Sequence, residues 1–223
     1  MSPQVKELKK KLQDQGLRGL ALDIDETLSY TTKWWFSAMS EKFGNPENLT
    51  AEEIYEKYRH SSKIPYWQTE EARIWMEERR YDDSIQIEFE LIEEEVNSLV
   101  RQVHSTIPVV AYITARPQEV RKGTLKWLEK HDFPKAELIQ RPNESKAEDG
   151  NKWKAEILEY LYPEVIGIVD DNVDFPSHIS PNYQGTIFLY NYETDPTDGM
   201  IEVVPCKTWN NVLEKINDRY KNN

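Results

Sequence analysis

Residues 20–35 read LALDIDETLSYTTKWW, an apolar run that meets two aspartates, Asp23 and Asp25, and then runs into adjacent tryptophans. The stretch LRGLALDID has the length and bounded apolar character of a buried strand. Both carboxylates then stand at its carboxyl end, where open parallel sheets place their ligands. Whether they form a metal and phosphate site or merely cap a strand depends on what the other strands bring to the same edge.

Four further runs read as buried strands: IPVVAYIT (107–114), AELIQR (136–141), EVIGIVDD (164–171) and GTIFLYN (185–191). Helical patterns lie between them. Residues 116–133 carry Val120, Leu125, Trp127 and Leu128 at helical spacing, with Pro117 suited to a first helical position. Residues 153–162 put Ile157, Leu158 and Leu161 on one face, and TWNNVLEKINDRY (208–220) is a closing helix. Strand and helix in alternation predict an α/β protein with a Rossmann-like parallel sheet covered by helices on both faces.

Residues 30–98 break that rhythm, being rich in Glu, Lys, Tyr and Trp with no convincing strand. They predict an inserted α-helical subdomain, leaving 1–29 and 99–223 as the α/β core. Its candidate helices are 33–44, stopped by Gly44; 50–60, with Thr50 as N-cap and Glu53 closing a capping box; 69–80; and one long helix over 84–105.

The chain has 223 residues and a formal charge of −12. Such a surface repels polyanions, which makes nucleic acid and anionic membranes poor partners, while a metal-containing pocket can still take a small phosphorylated metabolite. No run approaches the roughly 20 apolar residues of a membrane span, and the charged N-terminal helical pattern lacks a signal peptide's apolar centre. The expected compartment is cytoplasmic. With Cys206 as its one cysteine the chain has no disulfide or cysteine-zinc site, and its four histidines show no ligand spacing.

Four polar groups fall at strand ends or just before a strand: the pair Asp23 and Asp25, Thr114 after VVAYI, Lys154 ahead of the fourth strand, and Asp170 and Asp171 at its end, with Asp174 following. That set suits phosphoryl transfer. Asp23 and Asp170 offer hard oxygens to Mg²⁺, while the Thr114 hydroxyl and the Lys154 ammonium hold phosphoryl oxygens. One carboxylate of the first pair would attack phosphorus; the other would protonate the leaving alcohol, a role favoured where neighbouring negative charge keeps its proton on.

In order and context these residues resemble the haloacid dehalogenase-like (HAD) phosphohydrolase superfamily. DIDET (23–27) is similar to its D-x-D-x-T motif, YIT to its strand-terminal Thr, WKAEIL to its helix-borne lysine, and IVDDNVD to its second acidic motif. The resemblance covers about residues 17–192. It implies a three-layer α/β/α core with a helical type-one cap, and an Mg²⁺-dependent phosphatase working through an aspartyl-phosphate. By the same resemblance Asp23 is the nucleophile, Asp25 the acid/base, and Thr114 and Lys154 the remaining catalytic groups. Asp23, Asp170 and a backbone carbonyl of Asp25 would bind the metal, with Asp171 or Asp174 in support, and Thr27 would be a substrate-binding residue. The presence of Asp25 favours phosphoryl chemistry over carbon–halogen cleavage.

Two arginines are candidate substrate contacts. Arg116 in TARP has an ion pair with Glu119 as its other reading, and Arg141 in IQRP resembles an arginine of some nucleotide and polynucleotide phosphatases. Trp34, Trp35, Trp67 and Trp75 read mainly as packing for the helical insertion. A calcium loop starting at Asp23 fails, because its sixth and twelfth positions are Leu28 and Trp34. A receiver domain would open on its acidic pair, and a glycosyltransferase D-x-D leaves Thr114, Lys154 and the second pair unexplained. The alternatives that stay open are a catalytically silent HAD-fold binding module and a nucleotide or polynucleotide-end phosphatase.

Overall fold

A computed structural model describes residues 1–197 and 199–221, so residues 198, 222 and 223 of the expected core lie outside the described residues. Helix α1 (Pro3–Asp14) leads into strand β1 (Gly19–Leu22). Helices α2 (Thr31–Phe43), α3 (Ala51–Tyr58) and α4 (Glu70–Arg80) follow, then a 3-10 segment at Asp83–Glu88 and helix α5 (Val96–Thr106). Strand β2 (Val109–Pro117), helix α6 (Arg121–Lys130), β3 (Glu137–Arg141), α7 (Gly150–Leu161) and β4 (Val165–Asp170) come next. The described chain closes with β5 (Thr186–Tyr190), β6 (Glu202–Cys206) and α8 (Trp209–Tyr220).

The six strands form one parallel sheet in the order β3-β2-β1-β4-β5-β6. Side chains alternate across it, so Leu20 and Leu22 of β1 enter one core layer and Ala21 the other. The first layer is filled by α5, α6 and α8 through residues such as Val100, Trp127 and Val212, the second by α1 and α7 through Leu8, Leu12, Leu158 and Leu161. The α/β fold with helices on both faces is therefore as expected.

Between β1 and β2 the chain builds a third apolar cluster of its own: Phe36, Met39, Ile54, Ile64, Trp67 and Ala72, with Trp35 and Trp75 packed against it. Thr50 and Glu53 form the capping box, and Gly44 ends α2 at φ +83°, where a side chain would be strained. The expected helix over 84–105 is corrected. Its middle is drawn out of helical geometry by backbone bonds to the loop after β1: Tyr30 N–H donates to the Glu90 carbonyl and Ile92 N–H to the Leu28 carbonyl. Only α5 keeps the periodicity, burying Val96, Leu99, Val100 and Val103.

Two readings near β2 also change. Pro117 ends the strand instead of opening a helix, and Leu125 is exposed on α6. Strand β6 was not foreseen. It is an edge strand paired only with β5 and it contains Pro205, a residue that lacks an N–H and argues against a strand from sequence.

Candidate active site

The strand order turns back between β1 and β4, with β2 and β3 on one side and β5 and β6 on the other. Leu22 pairs in register with Val169, so Asp23 and Asp170 leave adjacent strands side by side at the carboxyl edge. Asp23 N–H still donates to the Val169 carbonyl at 2.9 Å, extending the ladder by one residue. Beyond it the chain folds into a compact loop: Leu28 and Ser29 N–H donate to the Ile24 carbonyl, and Glu26, at φ 56°, donates to Ser29. Buried Ile24 anchors this loop in the core between the two aspartates, and the Trp209 indole of α8 donates to the Thr27 carbonyl at 2.7 Å.

Lys154, in the second turn of α7, places its ammonium 2.6 Å from Asp170 Oδ2 and 2.8 Å from Asp23 Oδ2. Burial works against its charge, yet Asp170 and Asp23 hold its pKa above the ordinary lysine value. Oδ1 of Asp23 is buried without a hydrogen-bond partner, an expensive arrangement for a carboxylate oxygen. Asp23, Asp170 and Asp171 each bring an oxygen within 4.8 Å of the others. Burial pushes Asp23 up to about 7, Lys154 pulling against it and Asp170 adding to it. Asp171 is raised well above the carboxylate range by burial and by Asp170, Asp23 and Glu26, and Glu26 itself is pushed by burial up to about 7.

The orphaned oxygen and the three hard donors fit a divalent cation such as Mg²⁺, which would offset the crowding that raises these groups. The expected metal residues divide accordingly. Asp23, Asp170 and Asp171 converge; Asp174 is exposed, its backbone N–H bonded to Asn172, and it does not join them. Thr27, expected to bind substrate, is instead buried and donates to Asp171 Oδ1 at 3.0 Å, which makes it a support for the second acidic residue.

Asp25 stands apart from this cluster. Its Oδ1 accepts from Arg116 Nε at 2.9 Å, from Arg116 Nη2 at 2.6 Å, from Thr31 at 2.6 Å and from Ser29 at 3.3 Å. Burial alone would raise its pKa, but Arg116 and Thr31 outweigh it and hold the carboxyl below its ordinary value. The expectation that neighbouring negative charge keeps a proton on Asp25 is thus reversed: such charge raises Asp23 and Asp171, while Asp25 faces a guanidinium. Ser29, Thr31 and Glu26 were missed from sequence, although ETLSYT follows the aspartates directly and hydroxyls so close in the chain are natural partners for a carboxylate.

Arg116 reaches Asp25 because β2 bulges. Thr114 pairs with Gln140 and Pro117 with Arg141, so two residues of β2 sit where the partner strand has none, and the bulge re-aims the Arg116 side chain. The Thr114 hydroxyl, fully buried, accepts from the Arg116 N–H. Buried Gln140 donates to the Pro117 carbonyl. Arg141, 1% exposed, donates to the carbonyls of Ala115, Pro142 and Ser145. Its donors hold the bulge, which corrects its reading as a substrate contact; the Glu119 pairing for Arg116 is likewise replaced by Asp25.

A cavity of about 720 Å³ opens from Asp25 and Arg116 toward α2, α3 and α4. Trp35, Met39 and Phe89 form apolar parts of its wall, and Arg59 and Arg80 bring charge. Among the described residues no helix is long and apolar enough to cross a membrane.

Fold and site together define an α/β protein with a Rossmann-like parallel sheet and an acidic cluster at the switch point of that sheet. A family model for the LNS2 domain of PITM 1-3 matches residues 90–169, short of half the chain. The chain is similar in structure to cytosolic 5'-nucleotidase IIIB bound to cytidine, at 15% identity and a TM-score of 0.42, over 98% of this chain and 93% of that one. No curated protein matches it by sequence.

Proposed function

We propose that the chain is a phosphatase that hydrolyses a small phosphomonoester through an aspartyl-phosphate on Asp23. The observation that carries this is the Oδ1 atom of Asp23, buried and unbonded while Lys154 fixes Oδ2 of the same carboxylate. Asp23, Asp170 and Asp171 would hold Mg²⁺, which when bound supplies Lewis acidity and offsets phosphoryl charge.

In the first half-reaction Asp23 Oδ1 bonds to phosphorus as the ester P–O bond breaks, and Asp25 delivers a proton to the leaving alcohol. Because Arg116 keeps Asp25 ionised in the free protein, that proton arrives with the substrate as its monoanion. In the second half, Asp25 takes a proton from water as water attacks phosphorus, and Asp23 is released. Lys154 offsets part of the charge of Asp23 and Asp170 in the free protein, and the Thr114 hydroxyl is the remaining group of the set. Residues 30–98 serve as a cap over the core of 1–29 and 99–223, closing on the substrate and keeping bulk water out while the ester bond breaks. The acidic surface favours a small phosphorylated metabolite over nucleic acid.

Release of phosphate from an aryl phosphate, with and without Mg²⁺, tests the reading. Turnover should need the metal and fall by about 10⁴-fold or more in Asp23→Asn. Metal binding without turnover of any ester would instead mark a silent binding module.

A further inference from the structure

The cavity is far larger than a phosphoryl group needs, lying within the range of about 300–1,000 Å³ seen for sites that enclose a whole small molecule. Its wall has two chemistries. Trp35, Phe36, Met39, Met76 and Phe89 make it apolar, and Trp35 is held by edge-on contacts with Trp34 at 5.1 Å and Trp75 at 6.2 Å. Such a wall favours a flat, rigid group over an open sugar or glycerol chain.

The second chemistry is charge. In a chain of −12, the lining carries Arg59, Arg80 and Arg116 against Asp25 and Glu148. Arg116 and Asp25 cancel each other in their direct ion pair. Arg59 and Arg80 then outnumber Glu148, and the ion pair that Arg80 makes with the exposed Glu77 at 3.3 Å is of the weak surface kind. Arg59 ends α3 at φ 63° and ψ −41°, a backbone region that side-chain-bearing residues avoid, with its guanidinium lying 5.1 Å over the Tyr55 ring. Arginines on the wall of a partly apolar cavity in an acidic protein are suited to hold an anion.

We propose that this cavity selects phosphomonoesters whose leaving group is a flat ring bearing a second negative charge, with Trp35 and Phe89 against the ring and Arg59 and Arg80 on the distal anion. The proposal rests on the phosphatase reading for its choice of a phosphoryl group and is otherwise independent of turnover. Binding of three non-hydrolysable phosphonates to the full chain with Mg²⁺, measured by calorimetry, separates the two. 4-Carboxyphenylphosphonate should bind about tenfold or more tighter than phenylphosphonate. Phenylphosphonate in turn should bind several-fold tighter than methylphosphonate. In the double variant Arg59→Gln, Arg80→Gln the carboxylate's advantage should fall to about one, as the ratio of the two aryl affinities. An advantage below about twofold in the native chain, or one that persists in the double variant, overturns the proposal. So does failure of all three to bind. If the ratios hold while no aryl phosphate is turned over, the selectivity of the cavity stands and the phosphatase reading falls.

Discussion

Arg116 lies 5% exposed with both its Nε and Nη2 on a single oxygen of Asp25, and its guanidinium lies 5.1 Å over Phe89 and 5.9 Å over Trp127. A desolvated cation with those neighbours is stable only with its carboxylate in place, and the dependence is mutual. Arg116→Ala leaves Asp25 with the burial that raises its pKa and without the charge that lowers it. The variant should lose about 2–3 kcal/mol of stability in urea unfolding, toward the lower end for a broken ion pair because the Asp25 side chain is 35% exposed. Its Asp25 should also titrate higher than in the native chain, which carboxyl-carbon NMR can follow. An unchanged Asp25 titration would mean that Thr31 and Ser29 set its charge state.

At the scale of elements, the join between the helical insertion and the core is made by close backbone approach. Gly123 of α6 donates its N–H to Asp83 Oδ1 at 2.6 Å, and a Cβ at that position would collide with the Asp83 carbonyl oxygen and meet the Gln86 Cβ at 3.0 Å. Gly123→Ala should therefore push the 83–88 segment off α6, costing about 1–3 kcal/mol and raising hydrogen exchange at residues 83–89 more than in β1 or β4. Equal exchange in both regions would show that the segment is not held at this contact. The same segment explains why the expected helix over 84–105 survives only as α5. Helical spacing holds only from Val96 onward, whereas Ile85, Ile87, Phe89 and Leu91 alternate with polar residues, and there the carbonyl of Phe89 accepts from the Trp127 indole and that of Glu90 from Tyr30.

Across the whole molecule, stability should depend on pH and on the cation together. Asp23 and Glu26 are both pushed up to about 7 in the folded chain from unperturbed values near 4. Between those limits the folded state holds more protons than the unfolded one. Stability from these groups is thus full below about pH 4 and lost as pH rises through about 7. Without a divalent cation the Tm should fall between pH 5 and 7.5. Mg²⁺ should raise the Tm more at pH 7.5 than at pH 5, because it competes with protons for the same oxygens. Scanning calorimetry at the two pH values with and without Mg²⁺ checks this, and an equal rise at both would show that the cation binds elsewhere.

The amino-acid sequence by itself determined the parallel α/β fold, the helical insertion and the identity of the converging groups Asp23, Lys154 and Asp170, because each of these is written in short-range pattern: apolar runs of strand length, helical spacing, caps and polar residues at strand ends. It missed β6, whose Pro205 disguises an edge strand, and it set Arg141 beside a substrate when its guanidinium holds the β2 bulge. Only the tertiary structure decided that Asp174 stays outside the acidic cluster, that Thr27 supports Asp171, and that Arg116 crosses 91 residues of chain to hold Asp25 ionised. Those outcomes depend on a bulge, a loop and a strand register that bring distant charges within about 3 Å. Charges at that range set one another's protonation, and no local window of sequence contains them together.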